Sequence, residues 1–304
     1  MKEIGPIVPI VTPCAPDGAV DLESFRAVCA EMTLCGYRGI FVGGSTGRGP
    51  WFTLADRARL CSAAAQTVPV GTLILAGCMS LGLPGMLEAS RAMAEAGAVI
   101  AVATVPGYYR YNEEEAGAIF LAFADRSPIP VFLYDIPEFV NLQFSRGLLL
   151  DLARHGNIIG LKDSSADLPR FEALLQSLRD RADFSLLQGK EKLISESLRH
   201  GASGFVVSVI HLVPPLFINL YRAVRAGRDA EAAAFQAAVD GVMDVVLGCI
   251  RRRPESSTLF HILNEALKLR GVCRNVLLSH EGETPAWLAE EVQRAIQRGR
   301  VAQA

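Results

Sequence analysis

Eight short apolar runs, most of them about 25 to 35 residues apart, limit what this chain can fold into more than any other feature. They are IVPIV (7–11), GIFVGG (39–44), TLILAG (72–77), AVIAVATV (98–105), PVFLYDI (130–136), NIIGLK (157–162), FSLLQG (184–189) and GFVVSV (204–209). Nearly all are continuous rather than alternating, which suits parallel strands covered on both faces. Amphipathic patterns lie between them. In DLESFRAVCAEMTLCG (21–36), Leu22, Phe25, Val28, Cys29 and Met32 recur with the helical period and Gly36 is the stop. Residues 54–68 and 87–97 repeat the scheme. Residues 112–126 open with Asn112 as an N-cap, and three glutamates follow in the first turn, where the helix dipole favours them. Strand and helix alternating eight times predict an α/β fold, a (β/α)8 TIM barrel.

The alternation stops near residue 225. Three helical patterns without strands follow, and the last has Thr284 as N-cap and Pro285 at the first helical position. The expected organisation is therefore a barrel over 1–225 and a helical region over 226–304. A barrel of this kind takes about 250 residues, so 304 residues accommodate both. With 50% hydrophobic and 20% charged residues, the chain has the composition of a packed protein rather than a disordered one. A net charge of −2 gives no reason to expect a nucleic-acid partner. Arg251, Arg252 and Arg253 form the one tight basic cluster and read as a solvated loop or helix end. Seven cysteines are scattered with no C-x-x-C pair and no zinc-finger spacing, which suggests free thiols in a reducing cytosol and no metal site. The start, MKEIGPIVPIVTP, lacks the form of a signal peptide, and no apolar run approaches about 18 residues. A cytoplasmic protein with no membrane span is expected.

Barrel enzymes carry their chemistry at the C-terminal ends of the strands. Six of these ends hold reactive or binding groups: Gly44-Ser45-Thr46-Gly47, Pro106-Gly107-Tyr108-Tyr109, Tyr134-Asp135-Ile136-Pro137, Lys162, Gly189-Lys190-Glu191 and Ser208. Lys162 is the anomaly. It ends the apolar run Ile158-Ile159-Gly160-Leu161, and an ammonium is costly to bury. The bland reading is a lysine reaching back to water. The other is a desolvated amine that attacks a ketone to form a Schiff base. A tyrosine hydroxyl could then move protons, and the Ser-Thr turn could hold a carboxylate beside the ketone. A 2-keto acid would use all of these groups.

Three motifs on these strand ends resemble the dihydrodipicolinate synthase / N-acetylneuraminate lyase superfamily of class I aldolases. They are GGSTGR, where the family has G-[ST]-T-G-E; YDIP, where it has Y-N-x-P; and GLKDSS, around the family's Schiff-base lysine. The resemblance implies that Lys162 forms the Schiff base and Tyr134 transfers protons. It implies that Ser45 and Thr46 bind the carboxylate, with Thr46 also in a proton relay. Tyr109 matches a tyrosine that family tetramers lend to the neighbouring subunit, so a homo-oligomer, dimer or tetramer, is expected. Gly189, Glu191 and Ser208 match positions that contact the variable part of the substrate. The only cofactor role falls to the covalent Schiff base on Lys162; none other is implied. His211 reads as a structural histidine.

The departures narrow this. Dihydrodipicolinate synthases carry an arginine two residues after the proline of Y-N-x-P, and here that residue is Phe139. A typical dihydrodipicolinate synthase is therefore disfavoured. Arg48 replaces the family's glutamate and implies a different local partner. Asp135 for asparagine looks mild. Arg48, Arg110, Lys190 and Lys192 could make the mouth attractive to an anion, although each also reads as solvated surface. The leading expectation is a lyase that cleaves or forms a C–C bond in a 2-keto acid, with pyruvate as one product. The substrate would be a 2-keto-3-deoxy sugar acid, 4-hydroxy-2-oxoglutarate or a sialic-acid-like compound. The alternatives are a sugar-acid dehydratase using the same iminium, a dihydrodipicolinate synthase, and a non-catalytic 2-keto-acid binding or regulatory protein.

Overall fold

All eight apolar runs contain strands, and the strands pair in parallel, in sequence order, in one eight-stranded sheet. The computed structural model describes residues 2–15 and 17–301. Strand and helix alternate from β1 (Ile7–Pro9) and α1 (Leu22–Leu34) through β2 (Gly39–Val42), α2 (Leu54–Thr67), β3 (Leu73–Gly77), α3 (Leu83–Glu95), β4 (Ile100–Ala103) and α4 (Glu113–Arg126). Two helices, α5 (Pro137–Val140) and α6 (Arg146–Leu152), follow β5 (Val131–Asp135). Then come β6 (Ile158–Asp163), α7 (Leu168–Leu178), β7 (Ser185–Gln188), α8 (Ile194–Arg199), β8 (Gly204–Phe205) and α9 (Pro214–Arg225). The chain ends in α10 (Asp229–Arg252), α11 (Thr258–Leu269) and α12 (Ala286–Val301). This is the expected TIM barrel with C-terminal helices.

Alternation along each strand divides the core into two layers. Ile7, Phe41, Leu75, Phe132, Tyr134, Leu187 and Val206 point inward and fill the barrel. Ile40, Ile74, Ala101, Val131, Leu133, Leu161 and Leu186 point outward and meet the helices. The interior is crowded enough to need glycine: a Cβ on Gly160 would lie 2.4 Å from the Phe132 ring. Between β8 and β1 the barrel is closed by the Ile4 and Gly5 N–H groups, which donate to the Ser203 carbonyl at 3.0 and 2.8 Å. Gly204 permits this approach, since a Cβ there would sit 2.0 Å from the Gly5 carbonyl oxygen.

Helix starts follow local chemistry. Asn112 and Glu115 make a reciprocal capping box on α4, as the acidic first turn suggested. The last helix departs from its sequence pattern. It begins at Ala286, the Pro285 carbonyl accepts from the Leu288 and Ala289 N–H groups, and the Thr284 hydroxyl pairs with His261 Nδ1 at 3.0 Å rather than capping. The run at 204–209 is also mostly not strand, because after Phe205 the chain turns into a 3-10 segment, Ser208–His211. Helix α10 is long and apolar enough to cross a membrane by length and composition alone. It packs on α9 and α12 with Val239, Val242, Met243 and Val246 buried, and Asp240 and Asp244 break its apolar stretch, as in a bundle helix. All seven cysteines are free thiols, six of them buried.

Candidate active site

Strands β5 and β6 set the centre of the site. Their register pairs Tyr134 with Lys162 and Asp135 with Asp163. Tyr134 and Lys162 therefore both point into the barrel, and the two aspartates both point outward. Tyr134 is 2% exposed and Lys162 is 5% exposed, so the amine sits on the apolar inner layer rather than in water. Its Nζ lies 4.0 Å from the centre of the Tyr134 ring and 5.4 Å from that of Phe41. A ring face offers a cation partial compensation, and no carboxylate is paired with this amine among the described residues. The Tyr134 hydroxyl is 3.2 Å from Ser45 Oγ, which joins the β5 end to the β2 turn. Thr46, next in that turn, is buried.

The turn itself is tightly built. Gly47 lies where a Cβ would be 2.7 Å from the Ile10 carbonyl oxygen, and its own carbonyl accepts from Thr12 Oγ1 at 2.6 Å. Arg48 follows in the left-handed region, at φ 51°, and its N–H donates to the Ser45 carbonyl. Its guanidinium turns away from the mouth. It makes two hydrogen bonds to Glu281, at 2.7 and 2.8 Å, and lies 3.4 Å over the Phe260 ring. Arg48 has the different partner its departure implied, and it is not a cation of the mouth. Lys190 and Lys192 are likewise paired at the rim, with Glu138 at 2.9 Å and Asp244 at 2.7 Å.

Glu191 opens the short 3-10 segment that follows β7. It is buried, and its Oε1 is 3.5 Å from Ser208 Oγ. Burial pushes its carboxyl above the usual range, against two backbone hydrogen bonds and two lysines that favour the charge. Gly189 has a packing reason to be glycine, since a Cβ would come within 2.1 Å of Ser164 Oγ. Tyr109 is not brought to this cluster. It is 66% exposed on the loop after β4, edge-to-face with Tyr108. His211 is structural as expected: fully buried, with Nε2 3.0 Å from the Pro9 carbonyl and burial holding it down at about 4.

Two arginines were not anticipated. Arg170, on α7, lies 2.7 Å from Asp135 and 2.6 Å from Asp163, clamping the outer sides of β5 and β6 directly behind Tyr134 and Lys162. Asp135 is thus not a mild change. It puts a carboxylate opposite another in register, and burial raises it to about 6 despite the nearby guanidinium. The alternation of inward and outward residues at the two strand ends was the available signal. The second is Arg57, whose spacing with Leu60, Cys61 and Ala64 places it on the buried face of α2. It lines a cavity of about 390 Å³ that also touches Ser45, Thr104, Tyr134, Ile136 and Phe139. Lys162 is not on the wall of this cavity; the Tyr134 ring its amine faces is.

A parallel eight-stranded barrel with a buried lysine beside a tyrosine, and a hydroxyl turn at the C-terminal ends of the strands, defines an aldolase-type barrel protein. The chain belongs to the Dihydrodipicolinate synthetase family, whose sequence profile matches residues 2–292. A 4-hydroxy-tetrahydrodipicolinate synthase from Xanthomonas axonopodis pv. citri is 30% identical over 237 residues, 78% of each chain. Solved structures share the fold at lower identity. A sialic acid aldolase from Ruminococcus gnavus superposes with a TM-score of 0.89 at 18% identity, over 100% of this chain and 99% of that one. Dihydrodipicolinate synthase from Bacteroides thetaiotaomicron does so with 0.88 at 24%, over 98% and 99%.

Proposed function

We propose that this protein is a class I, pyruvate-dependent lyase that makes or breaks the C3–C4 bond of a 4-hydroxy-2-keto acid through a Schiff base on Lys162. The observation that carries the reading is the pairing of Tyr134 and Lys162 in register on the inner face of the barrel, with the phenol bonded to Ser45. In cleavage, the Lys162 amine adds to the ketone carbon and the carbinolamine loses water to give the iminium. The C3–C4 electron pair then flows toward nitrogen, giving the enamine and the aldehyde. The C4 hydroxyl proton leaves through the Tyr134 hydroxyl into the Ser45 and Thr46 network. A proton returns to C3, and water hydrolyses the iminium to pyruvate and the free amine. Ser45 and Thr46 hold the keto-acid carboxylate, while Gly189, Glu191 and Ser208 face the rest of the substrate. No metal or organic cofactor enters these steps.

The catalytic barrel in this reading is residues 1–225, with 226–304 as its helical region. Tyr109 serves the site of a neighbouring copy in a homo-oligomer; its exposure, where the family lends a tyrosine, supports that role. Seven free thiols support a cytoplasmic setting. The test is product analysis on a panel of 4-hydroxy-2-keto acids. Release of pyruvate and an aldehyde in equal amounts is expected. Loss of water without pyruvate would assign a dehydratase, and tight binding without turnover of any compound would assign a binding protein.

A further inference from the structure

Arg57 is a buried cation without a counter-ion. It is 9% exposed, and no ion pair reaches it among the described residues. Its Nη1 donates only to the Gly77 and Met79 carbonyls, at long distances of 3.4 and 3.3 Å. Its Nε is buried without a partner among the described residues, and both hydrogen bonds of the guanidinium come from Nη1, leaving Nη2 accessible. The one acidic group that faces it, the Cys78 thiol, is held protonated by burial, at about 12. Among the described residues Arg57 is also the only charged one on the cavity wall, which carries no carboxylate and otherwise offers the hydroxyls of Ser45, Ser80, Thr104 and Tyr134 among apolar side chains. A guanidinium cannot shed its proton to escape this setting. Desolvating it this far without an anion is costly.

We infer that Arg57 receives a second carboxylate, on the half of the substrate that leaves as the aldehyde, so that the substrate is a 4-hydroxy-2-keto dicarboxylic acid. The inference rests on the Schiff-base reading above and adds to it the chemistry of the acceptor. The planar fork with free N–H groups suits a carboxylate, and the cavity it lines is the one reached by Ser45 and Tyr134. Phe139 lines the same cavity without charge, so Arg57 is its sole cation among the described residues.

The experiment uses the full-length protein in the condensation direction, with pyruvate and two acceptors of equal carbon count, glyoxylate and glycolaldehyde. Pyruvate C3 loses a proton and bonds to the aldehyde carbon, whose oxygen gains one, so neither acceptor needs a co-reactant. Wild-type kcat/KM for glyoxylate is expected to exceed that for glycolaldehyde by about tenfold to hundredfold, the range of one charge-assisted hydrogen bond. Arg57→Met is expected to erase the preference, mainly through KM for glyoxylate, and Arg57→Lys to restore part of it. Borohydride trapping of pyruvate on each variant reports whether it is folded and competent. Equal use of the two acceptors by the wild type would overturn the inference without any variant, as would an equal loss on both in a trapping-competent Arg57→Met. Absence of a pyruvate adduct in the wild type would overturn the Schiff-base reading itself, and the dicarboxylate assignment with it.

Discussion

Glu281→Gln removes the counter-charge of Arg48 and keeps the shape of the side chain. Both partners are nearly dry, at 8% and 7% side-chain exposure, and two hydrogen bonds join them. Removing one member of such a pair costs about 3 to 5 kcal/mol, because the other charge stays buried. Much of the total stability of a domain, about 5 to 15 kcal/mol, would go with it. Arg48→Met should cost a similar amount, since Glu281 is then stranded. Combining Glu281→Gln with Arg48→Met removes both charges together and should cost much less than the sum. The assay is a double-mutant cycle by urea denaturation, and we expect a coupling of roughly 2 kcal/mol or more. The single variants should also lose activity, because the left-handed Arg48 holds the Ser45 carbonyl and so the geometry of the hydroxyl turn. Additive losses, or single-variant costs below about 1 kcal/mol, the level of an exposed pair, would refute the claim that this ion pair anchors the turn to the C-terminal segment.

Tyr134→Phe should reduce kcat by about 10² to 10⁴ with little change in pyruvate trapping, measured by steady-state kinetics beside borohydride reduction. Aspartate semialdehyde should be a poorer acceptor than glyoxylate: Arg57 can meet its carboxylate, but among the described residues the cavity wall has no acid to meet its ammonium. Comparable condensation rates with it and with glyoxylate would contradict this. His211 is held near 4 against an ordinary 6.5, so between those values the unfolded chain binds the extra proton and stability rises with pH. The contribution is complete above about 6.5, is lost as pH falls toward 4, and amounts to roughly 3 kcal/mol. Asp135, raised to about 6, contributes with the opposite sign in an overlapping range, so the check is the difference between wild type and His211→Gln in urea midpoint against pH.

The barrel was legible because its evidence is repeated eight times: continuous apolar runs, helical periods and their caps. Strand ends were less legible, since pairing rather than composition decides where β1 and β8 stop. Lys162 and Tyr134 could be found because each stands at or near the C-terminal end of an apolar run, and their register then sets both side chains on one inner layer. Arg170 and Arg57 were missed for different reasons. Arg170 becomes visible only when the outward parity of Asp135 and Asp163 is carried across two strands. Arg57 was visible on the apolar face of its own helix, but only the tertiary fold discloses that no carboxylate waits for it. The partner of Arg48 could not be read at all, because Glu281 lies 233 residues away in a loop with no pattern of its own.

The most direct measurement is mass spectrometry of the intact protein, and then of its peptides, after incubation with pyruvate and reduction by borohydride. The account predicts one adduct per chain, on Lys162, absent in Lys162→Ala although that variant folds and keeps its urea midpoint near the wild-type value. An adduct on another lysine, or no adduct under conditions where the enzyme turns over, would contradict the Schiff-base mechanism.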